Sequence, residues 1–405
     1  MKILWSTREA PKQHDFRGHI AELDGLRAIA LGLVLIDHFW PQGLSSIVFQ
    51  LGNLCWIAMD CFFVLSGFLI TGILLDTCHK PGYFGAFYAR RALRILPLYY
   101  LVLLIWWWII RFTNWGHDYA NMLQHWGSPA WFTFYAGNIH SALIGRIPGG
   151  SGGTLVQAYG HLWSLQIEEQ YYLLFPLAVA WLSRKNLRRL LLAAVFTSPL
   201  LRVAAYLWQP GNPYLQYFLL PCHCEGLALG GLIALRFRSG AWGISKTALT
   251  TWTIFLLGAA CAGSLLSTWG TRNQAWGSQW DRLAGYTVSS MACACLVLWV
   301  ILSRGSRWTS WLRWAPVQYV GKISYGGYLL HQLAAWAIWE LVKKKLLHFH
   351  KDDPRYFVEA IVLSLIFASL SWHFFEGPFL RLKDRIPYYR DKLRPVEIQQ
   401  SGTTA

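Results

Sequence analysis

Long apolar runs alternate with short polar or charged segments along almost the whole chain. A helix that crosses a hydrocarbon core of about 30 Å needs roughly 20 apolar residues. Ten runs have this length and predict ten membrane-spanning helices, at residues 22–41, 54–75, 92–111, 161–182, 190–208, 216–235, 247–267, 283–303, 318–341 and 356–376. The pattern therefore predicts an all-α polytopic membrane protein with about ten transmembrane helices.

The connections between the runs are mostly short, and residues 112–160 form the exception. This stretch is expected to be a long external loop, with a mobile glycine-rich run at residues 148–153. Most Lys and Arg residues fall in the segments on the side of the N-terminus, which predicts that both termini are cytoplasmic. We accordingly expect a cytoplasmic segment at 1–19, one stand-alone transmembrane domain at 20–382 and a cytoplasmic tail at 383–405.

Composition supports a membrane protein and excludes most other classes. The chain is 55% hydrophobic and only 14% charged, whereas soluble proteins carry about 25% charged residues. The formal net charge is +16, but the basic residues lie in short runs between apolar stretches. This distribution favours contact with the anionic surface of a bilayer and argues against a nucleic-acid partner.

The eight cysteines do not predict a metal site. Most of them lie inside apolar runs, where Cys behaves as a small hydrophobic residue. Cys222-His223-Cys224 has adjacent ligands that diverge on a helix, and no second pair at suitable spacing completes it. We therefore interpret these residues as small residues near a helix end and expect no metal.

Ionisable residues inside the first predicted span point to function, because such groups are costly in a bilayer. Arg27 lies near one end of this span, and His38, preceded by Asp37, follows eleven residues later on the same helical face. A guanidinium can hold a phosphate, and an imidazole can take a proton from a hydroxyl. Taken alone, the pair is also compatible with an interfacial arginine and a structural histidine.

Further polar residues occur in the next predicted spans. In the second span, Asp60 is expected at the depth of His38, where its carboxylate could orient the imidazole. Ser66-Gly67 lies deeper, and such small residues allow either close approach of a ligand or close packing of helices.

The third and fourth predicted spans add charges of opposite sign. Arg90, Arg91 and Arg94 open the third span, where guanidiniums suit the phosphates of a nucleotide-like donor or anionic lipid headgroups. Glu168-Glu169 lies in the fourth span. Adjacent carboxylates point in different directions, so that one can face His38 and the other an arginine; a structural ion pair is the alternative.

Six segments occur in an order that closely resembles the membrane-bound acyltransferase type 3 family of bacterial O-acyltransferases. They are Leu23–Arg27 with His38, Asp60–Ile70, Phe87–Pro97, Trp163–Tyr172, Gly321–Tyr325 with Tyr328–His331, and Phe375–Phe379. The resemblance runs from about residue 20 to 382. Met59 and Gly326-Gly327 depart from the family pattern, at positions outside the proposed chemistry.

This resemblance implies a function and a set of site residues. The family moves an acyl group, usually acetyl, from cytoplasmic acyl-coenzyme A to a hydroxyl of a carbohydrate or glycosylated acceptor at the outer face of the bacterial inner membrane. Its essential Arg and His correspond to Arg27 and His38, and its arginine pair corresponds to Arg91 and Arg94. Its Ser-Gly-Phe element begins at Ser66, and its acidic element corresponds to Glu168.

We therefore expect two parts of one site. Arg27, Arg91 and Arg94, with Arg90 beside them and Ser66-Gly67 deeper in the membrane, are expected to bind the acyl-coenzyme A donor. His38 is expected to act as general base or to carry the acyl group as an acyl-histidine. One of three carboxylates is expected to orient His38: Asp37, Asp60 or Glu168.

Two other interpretations remain at the level of sequence. A multi-span transporter of a sugar or lipid-linked substrate would use intramembrane charges as its pathway. His331 and His161 are interpreted as helix-packing or acceptor-side residues rather than as a second base.

Overall fold

The structure is a computed structural model and describes residues 19–41, 54–112, 123–124, 126–148, 159–239, 245–267, 279–344 and 353–386. Among these residues there is no β-strand. The labelled helices are α1 (Ala21–Phe39), α2 (Ala58–Thr77), α3 (Tyr83–Phe112), α4 (Gly137–Ile144), α5 (Trp163–Trp181), α6 (Arg184–Trp208), α7 (Pro213–Phe218), α8 (Glu225–Arg238), α9 (Lys246–Ser267), α10 (Tyr286–Leu302), α11 (Ala315–Lys322), α12 (Ser324–Lys343), α13 (Pro354–Leu370) and α14 (Gly377–Asp384). Most of the predicted terminal segments, residues 1–18 and 387–405, lie outside the described residues.

Six helical segments of the described chain are long and apolar enough to cross a membrane. They are Leu54–Thr77, Tyr83–Phe112, Arg184–Trp208, Lys246–Leu266, Asp281–Leu302 and Pro354–Asp384. The all-helical class is therefore confirmed for the described residues, with six candidate membrane spans. The other four predicted spans fall on α1, α5, α7 with α8, and α11 with α12, which are rich in polar residues or interrupted. The number of ten spans and the orientation of the termini remain predictions.

Two predicted spans are not continuous helices. In the segment predicted at 216–235, α7 ends at Phe218 and a 3₁₀ turn with Pro221 precedes α8. Proline cannot donate a backbone hydrogen bond, so it marks the interruption. In the segment predicted at 318–341, the chain breaks at Ile323 between α11 and α12. Hydropathy alone does not resolve such breaks, because apolar residues continue through them.

Helix α3 begins nine residues before the predicted span at 92–111. Its first turns are amphipathic and dock on α5 through two phenol groups. Tyr83 Oη donates to the carbonyl of Pro176 at 3.0 Å, and Tyr88 Oη donates to the carbonyl of Leu173 at 2.8 Å. The span predicted at 92–111 does not include these turns, because the arginines that follow them lower the mean hydropathy of this part of the chain.

Part of the predicted external loop at 112–160 packs back against the bundle. Tyr99 Oη on α3 donates to the carbonyl of Phe132 at 2.7 Å, and Tyr100 Oη donates to that of Thr133 at 3.1 Å. Tyr99 precedes the end of α3, Phe112, by thirteen residues, or roughly 20 Å of helix. The loop thus returns well along α3. Its predicted mobile run lies, from residue 149 onward, outside the described residues.

Helices α2 and α8 pack with their backbones in close contact. A Cβ atom on Gly67 would lie 2.0 Å from the carbonyl oxygen of Leu227, and one on Gly230 would lie 2.1 Å from that of Val64. Glycine is therefore required on both sides of this contact. The expectation that Gly67 binds the donor is corrected: its open side faces α8, and it acts in helix packing.

We predict that Gly67→Ala lowers the stability of the folded protein. The added methyl group cannot be accommodated without separating α2 from α8, and overpacking of this kind costs about 1–3 kcal/mol. Thermal unfolding of the purified protein in detergent should show a lower melting temperature. Gly258→Ala on α9 is the matched control, because a Cβ there has no neighbour within 4 Å. Equal melting temperatures for the two variants would contradict the packing role.

Candidate active site

Helix α1 places Arg27 and His38 at two ends of one face. Arg27 Nη1 donates to Asp24 Oδ1 at 3.0 Å, one turn earlier on the helix. Asp24 Oδ2 also lies 2.5 Å from His19 Nε2. The Arg27 side chain remains 25% exposed. Eleven residues of helix separate Arg27 from His38, which corresponds to about 16 Å along the axis.

Arg91 and Arg94 of α3 lie one turn apart and converge with Arg27. The Arg91 guanidinium lies over the ring of Tyr172 at 5.2 Å. Arg94 lies within electrostatic reach of both Arg27 and Arg91. In the part of the chain that the structure describes, neither Arg91 nor Arg94 donates a hydrogen bond. We call Arg27, Arg91 and Arg94 the arginine cluster; its helix α3 members hold donors that are free to bind an anion.

Arg90 does not belong to the arginine cluster, which corrects its expected role. Its Nη1 donates to the carbonyls of Lys383 at 2.9 Å and Ile386 at 2.5 Å, and its Nη2 lies 3.7 Å from Asp384. Adjacent residues on a helix diverge by about 100°, so Arg90 and Arg91 face different neighbours. Arg90 therefore holds the C-terminal end of α14.

Glu168 faces the arginine cluster. Its Oε1 accepts from Ser66 Oγ at 2.7 Å, and its Oε2 accepts from Tyr172 Oη at 3.2 Å. It also interacts electrostatically with Arg91 and Arg27. The expectation that Glu168 orients His38 is thus corrected, while Ser66 is placed at the arginine end of the site as a partner of this carboxylate.

Two more carboxylates border the arginine cluster. Glu376 Oε1 accepts from Ser371 Oγ at 2.9 Å, and its charge interacts with Arg94. Glu169 interacts with Arg91, and no group among the described residues donates to its buried Oε1. Three carboxyl groups, those of Glu168, Glu169 and Glu376, therefore surround the guanidiniums of the arginine cluster.

The hydrogen bonds of His38 to the described residues leave one of its ring nitrogens available. Its Nδ1 lies 2.9 Å from the carbonyl oxygen of Val34. Because a carbonyl oxygen only accepts, Nδ1 carries the proton and Nε2 holds the lone pair. The Asp37 carboxylate lies 3.8 Å from Nδ1, beyond hydrogen-bond distance. Asp37 is close enough to stabilise a protonated His38 but does not fix its ring in this structure.

Two further histidines join His38 at this end of the site. The rings of His38 and His331 lie edge to face with centroids 4.7 Å apart, and those of His331 and His161 lie edge to face at 5.0 Å. Tyr328 connects the group to α5, because its hydroxyl bonds Ser164 Oγ at 2.6 Å and donates to the carbonyl of His161. We call His38, His331 and His161 the histidine cluster.

The sequence did not predict the histidine cluster, although it singled out each of the three residues. His38 comes from α1, His161 from the turn before α5 and His331 from α12. Contacts between segments so distant in sequence carry no local signal. The available hint was that His331 ends the segment Tyr328–His331 and that His161 lies two residues before the segment Trp163–Tyr172.

Asp60 has different partners from the one expected. Its carboxylate accepts from Ser290 Oγ at 2.7 Å and from Ser289 Oγ, and it lies 3.5 Å from His223 Nε2. All these groups are almost fully buried. The expectation that Asp60 orients His38 is corrected: it belongs to a separate polar network between α2 and α10.

The arrangement of the helices connects the arginine cluster with the histidine cluster. Helix α5 carries Ser164 at the histidine end and Glu168 about one turn later at the arginine end. Helix α12 carries Tyr325, which interacts with Arg94, and His331 further along. Helices α1, α5 and α12 thus each carry residues at both clusters. In the described part of the chain, no group of three or more His, Cys, Asp or Glu residues is arranged to hold a metal ion.

Comparison with known proteins identifies the family. The profile of an acyltransferase domain, acyltransferase 3, matches residues 20–373. The O-acetyltransferase OatA of Staphylococcus aureus is 26% identical over 368 residues, which cover 89% of this chain and 57% of that protein. The putative peptidoglycan O-acetyltransferase YrhL of Bacillus subtilis is 28% identical over 392 residues, which cover 89% of this chain and 55% of that protein.

The chain spans just over half the length of these curated relatives. No solved structure matches it. The family profile, however, covers most of the 405 residues, including α1, the arginine cluster and the histidine cluster. The chain therefore belongs to the acyltransferase 3 family of acyltransferase domains.

Proposed function

We propose that the chain is a membrane O-acyltransferase that moves an acyl group, most simply acetyl, from acyl-coenzyme A to a hydroxyl of a carbohydrate acceptor. The observation that carries this proposal is the pairing on α1 of Arg27 and His38. One end of the face has guanidiniums whose donors no described residue occupies. The other end, about 16 Å away, has an imidazole whose Nε2 has no partner among the described residues. A coenzyme A thioester is a ligand with phosphates at one end and a reactive carbonyl at the other.

The arginine cluster would bind the phosphates of the donor. Guanidiniums form forked, charge-assisted hydrogen bonds with phosphate oxygens, and Arg91 and Arg94 have donors that no described residue occupies. Glu168, held by Ser66 and Tyr172, would keep the guanidiniums in position. The arm of the donor would then extend between α1, α5 and α12 toward the histidine cluster.

His38 would activate the acceptor as a general base. Its Nε2 takes the hydroxyl proton, the oxygen attacks the thioester carbonyl, and the C–S bond breaks. The departing thiolate then receives the proton from the imidazolium. A second route uses the same nitrogen as nucleophile, forming an acyl-histidine that the hydroxyl cleaves. A burst of free coenzyme A in the absence of acceptor would identify the second route.

The acceptor and the topology belong to the same proposal. The name of YrhL supports a peptidoglycan-type glycan as acceptor. The distribution of Lys and Arg supports ten spans with both termini cytoplasmic, in a bacterial inner membrane. The arginine cluster would then face the cytoplasm, where acyl-coenzyme A is available, and the histidine cluster would lie deeper, toward the acceptor.

We expect release of coenzyme A that depends on the acceptor. The purified full chain in proteoliposomes would be supplied with acetyl-coenzyme A and an oligosaccharide of N-acetylglucosamine and N-acetylmuramic acid. Free thiol and acetylated oligosaccharide should appear in equal amounts. Movement of labelled oligosaccharide across the vesicle membrane, without release of coenzyme A, would instead indicate a transporter.

We predict that His38→Ala abolishes this reaction. General-base catalysis contributes about 10²–10⁴ in rate, so coenzyme A release should fall at least 100-fold while the protein elutes normally in size-exclusion chromatography. His373→Ala is the control, because this exposed residue hydrogen-bonds, among the described residues, only to the Ser369 carbonyl one turn earlier. Near-normal turnover by His38→Ala would exclude His38 from the chemistry.

We predict that Arg91→Ala and Arg94→Ala raise the KM for acetyl-coenzyme A. A hydrogen bond to a charged group is worth about 1.5–3 kcal/mol, which corresponds to a change of about 10- to 100-fold. Arg188→Ala, which removes an exposed arginine at the start of α6, is the matched control for loss of positive charge. An unchanged KM in both cluster variants would remove them from the donor site.

A further inference from the structure

A second, fully buried imidazole lies against the reactive one. His331 is 0% exposed, and its ring contacts His38 edge to face with centroids 4.7 Å apart. On its other side it contacts the ring of His161 at 5.0 Å. A buried polar ring of this kind is stable only if its nitrogens are hydrogen-bonded. The hydrogen-bond partners of these nitrogens determine whether His331 can accept a proton from His38.

Both ring nitrogens of His331 are occupied. Its Nδ1 lies 2.6 Å from the carbonyl oxygen of Tyr328, so Nδ1 carries a proton and donates it. Its Nε2 lies 3.0 Å from Nε2 of Gln332, whose amide N–H donates to the ring. His331 is therefore a neutral imidazole in a single tautomer. No lone pair remains to receive a proton from His38, which excludes a proton relay through this ring.

The contacts of His331 fix its orientation, and those of His38 do not. The His38 side chain is 30% exposed and lies in the last turn of α1. Its one hydrogen bond to a described residue holds Nδ1 but not the opposite edge of the ring. Catalytic groups need to be held within about 10–20° of their productive orientation. The edge-to-face contact with His331 supplies the constraint that the bonding of His38 lacks.

We infer that His331 is a positioning residue, which sets the plane of the His38 imidazole so that Nε2 faces the acceptor hydroxyl. Tyr328 and Gln332 hold His331, and His161 packs behind it. The inference rests on the proposed function, because it assigns His331 a role only in a reaction at His38 Nε2. It places the orienting group on α12 rather than among the carboxylates Asp37, Asp60 and Glu168.

The test compares two substitutions in full-length protein in proteoliposomes, with acetyl-coenzyme A and the same oligosaccharide. His331→Ala removes the ring, and we expect kcat to fall about 10- to 100-fold, since misplacement by about 1 Å has an effect of this size. The KM for acetyl-coenzyme A should stay within twofold. His331→Phe retains a flat ring without nitrogens and should recover most of the lost kcat. His373→Phe, outside the cluster, should leave both constants unchanged.

Three outcomes would overturn the inference. Full activity of His331→Ala would show that His38 needs no support from this ring. Equal inactivity of His331→Phe and His331→Ala, both folded, would show that a nitrogen of His331 takes part in the chemistry. A rise in KM with unchanged kcat would assign His331 to donor binding. If the wild-type protein released no coenzyme A with acceptor, the proposed function and this inference would both fall.

A third variant covers the possibility that substitution of His331 prevents folding. Gln332→Leu keeps the His331 ring but removes the donor to its Nε2. Loss of one hydrogen bond of about 1 kcal/mol should lower kcat about fivefold, with an unchanged KM for acetyl-coenzyme A. Unchanged kcat in folded Gln332→Leu, together with unfolded His331 variants, would indicate a purely structural role for His331 and overturn its positioning role.

Discussion

A charge or an imidazole inside an apolar bundle must find a polar partner, and this constraint determines which helices face the interior. Unpaired ionisable groups cost at least about 3 kcal/mol at the centre of a bilayer. Helices α1, α5 and α12 carry such groups, and these groups have polar partners on the same helix or on a neighbouring one. Arg27 bonds Asp24, Glu168 bonds Ser66, and Tyr328 bonds Ser164. The same constraint explains why these helices are less apolar than the six that meet the requirements of a membrane span.

Two groups of buried polar residues away from the candidate site join helices. Arg202 and Glu225 are both 0% exposed and pair at 2.5 Å, and Arg202 also donates to the carbonyl of Cys222. Asp60 accepts hydrogen bonds from Ser290 and Ser289. The arginine cluster differs, because the guanidiniums of Arg91 and Arg94 are only partly buried and donate to no described residue. This difference separates a candidate binding site from a structural network.

Helix positions could be predicted from sequence more completely than contacts. The apolar runs identified the helical regions because hydropathy is a local property, and the spacing of Arg91 and Arg94 placed them on one face because a helix has a fixed period. The break at Ile323 and the fold-back of residues 126–148 could not be read in this way. They depend on how one helix packs against another, and the chain remains apolar or aromatic through both.

The partners of individual polar residues were the least predictable part of the site. Asp60 and Glu168 were both considered for His38, since depth in the membrane was the only guide. Each instead bonds a hydroxyl group on a neighbouring helix. The sequence left Gly67 compatible with ligand binding or with helix packing. Its close approach to the carbonyl of Leu227 in the structure identifies the packing role. Rotation of a helix about its axis fixes these partners, and a single sequence contains no direct record of it.

The segment between α3 and α5 brings part of the predicted external loop into the interior of the bundle. Tyr135 has a φ of 54°, which is unusual for a bulky residue, and Gln170 Nε2 donates to its carbonyl at 2.8 Å. Its ring stacks on Tyr99 at 4.2 Å. Helix α3 holds this conformation through the ring stacking, and helix α5 holds it through the hydrogen bond. These interior contacts offset the energetic cost of the unusual backbone conformation. Tyr135 also lies near Glu169, which borders the arginine cluster. The loop is therefore joined to the candidate donor end of the site, and a change in its position would alter the surroundings of Glu169 directly.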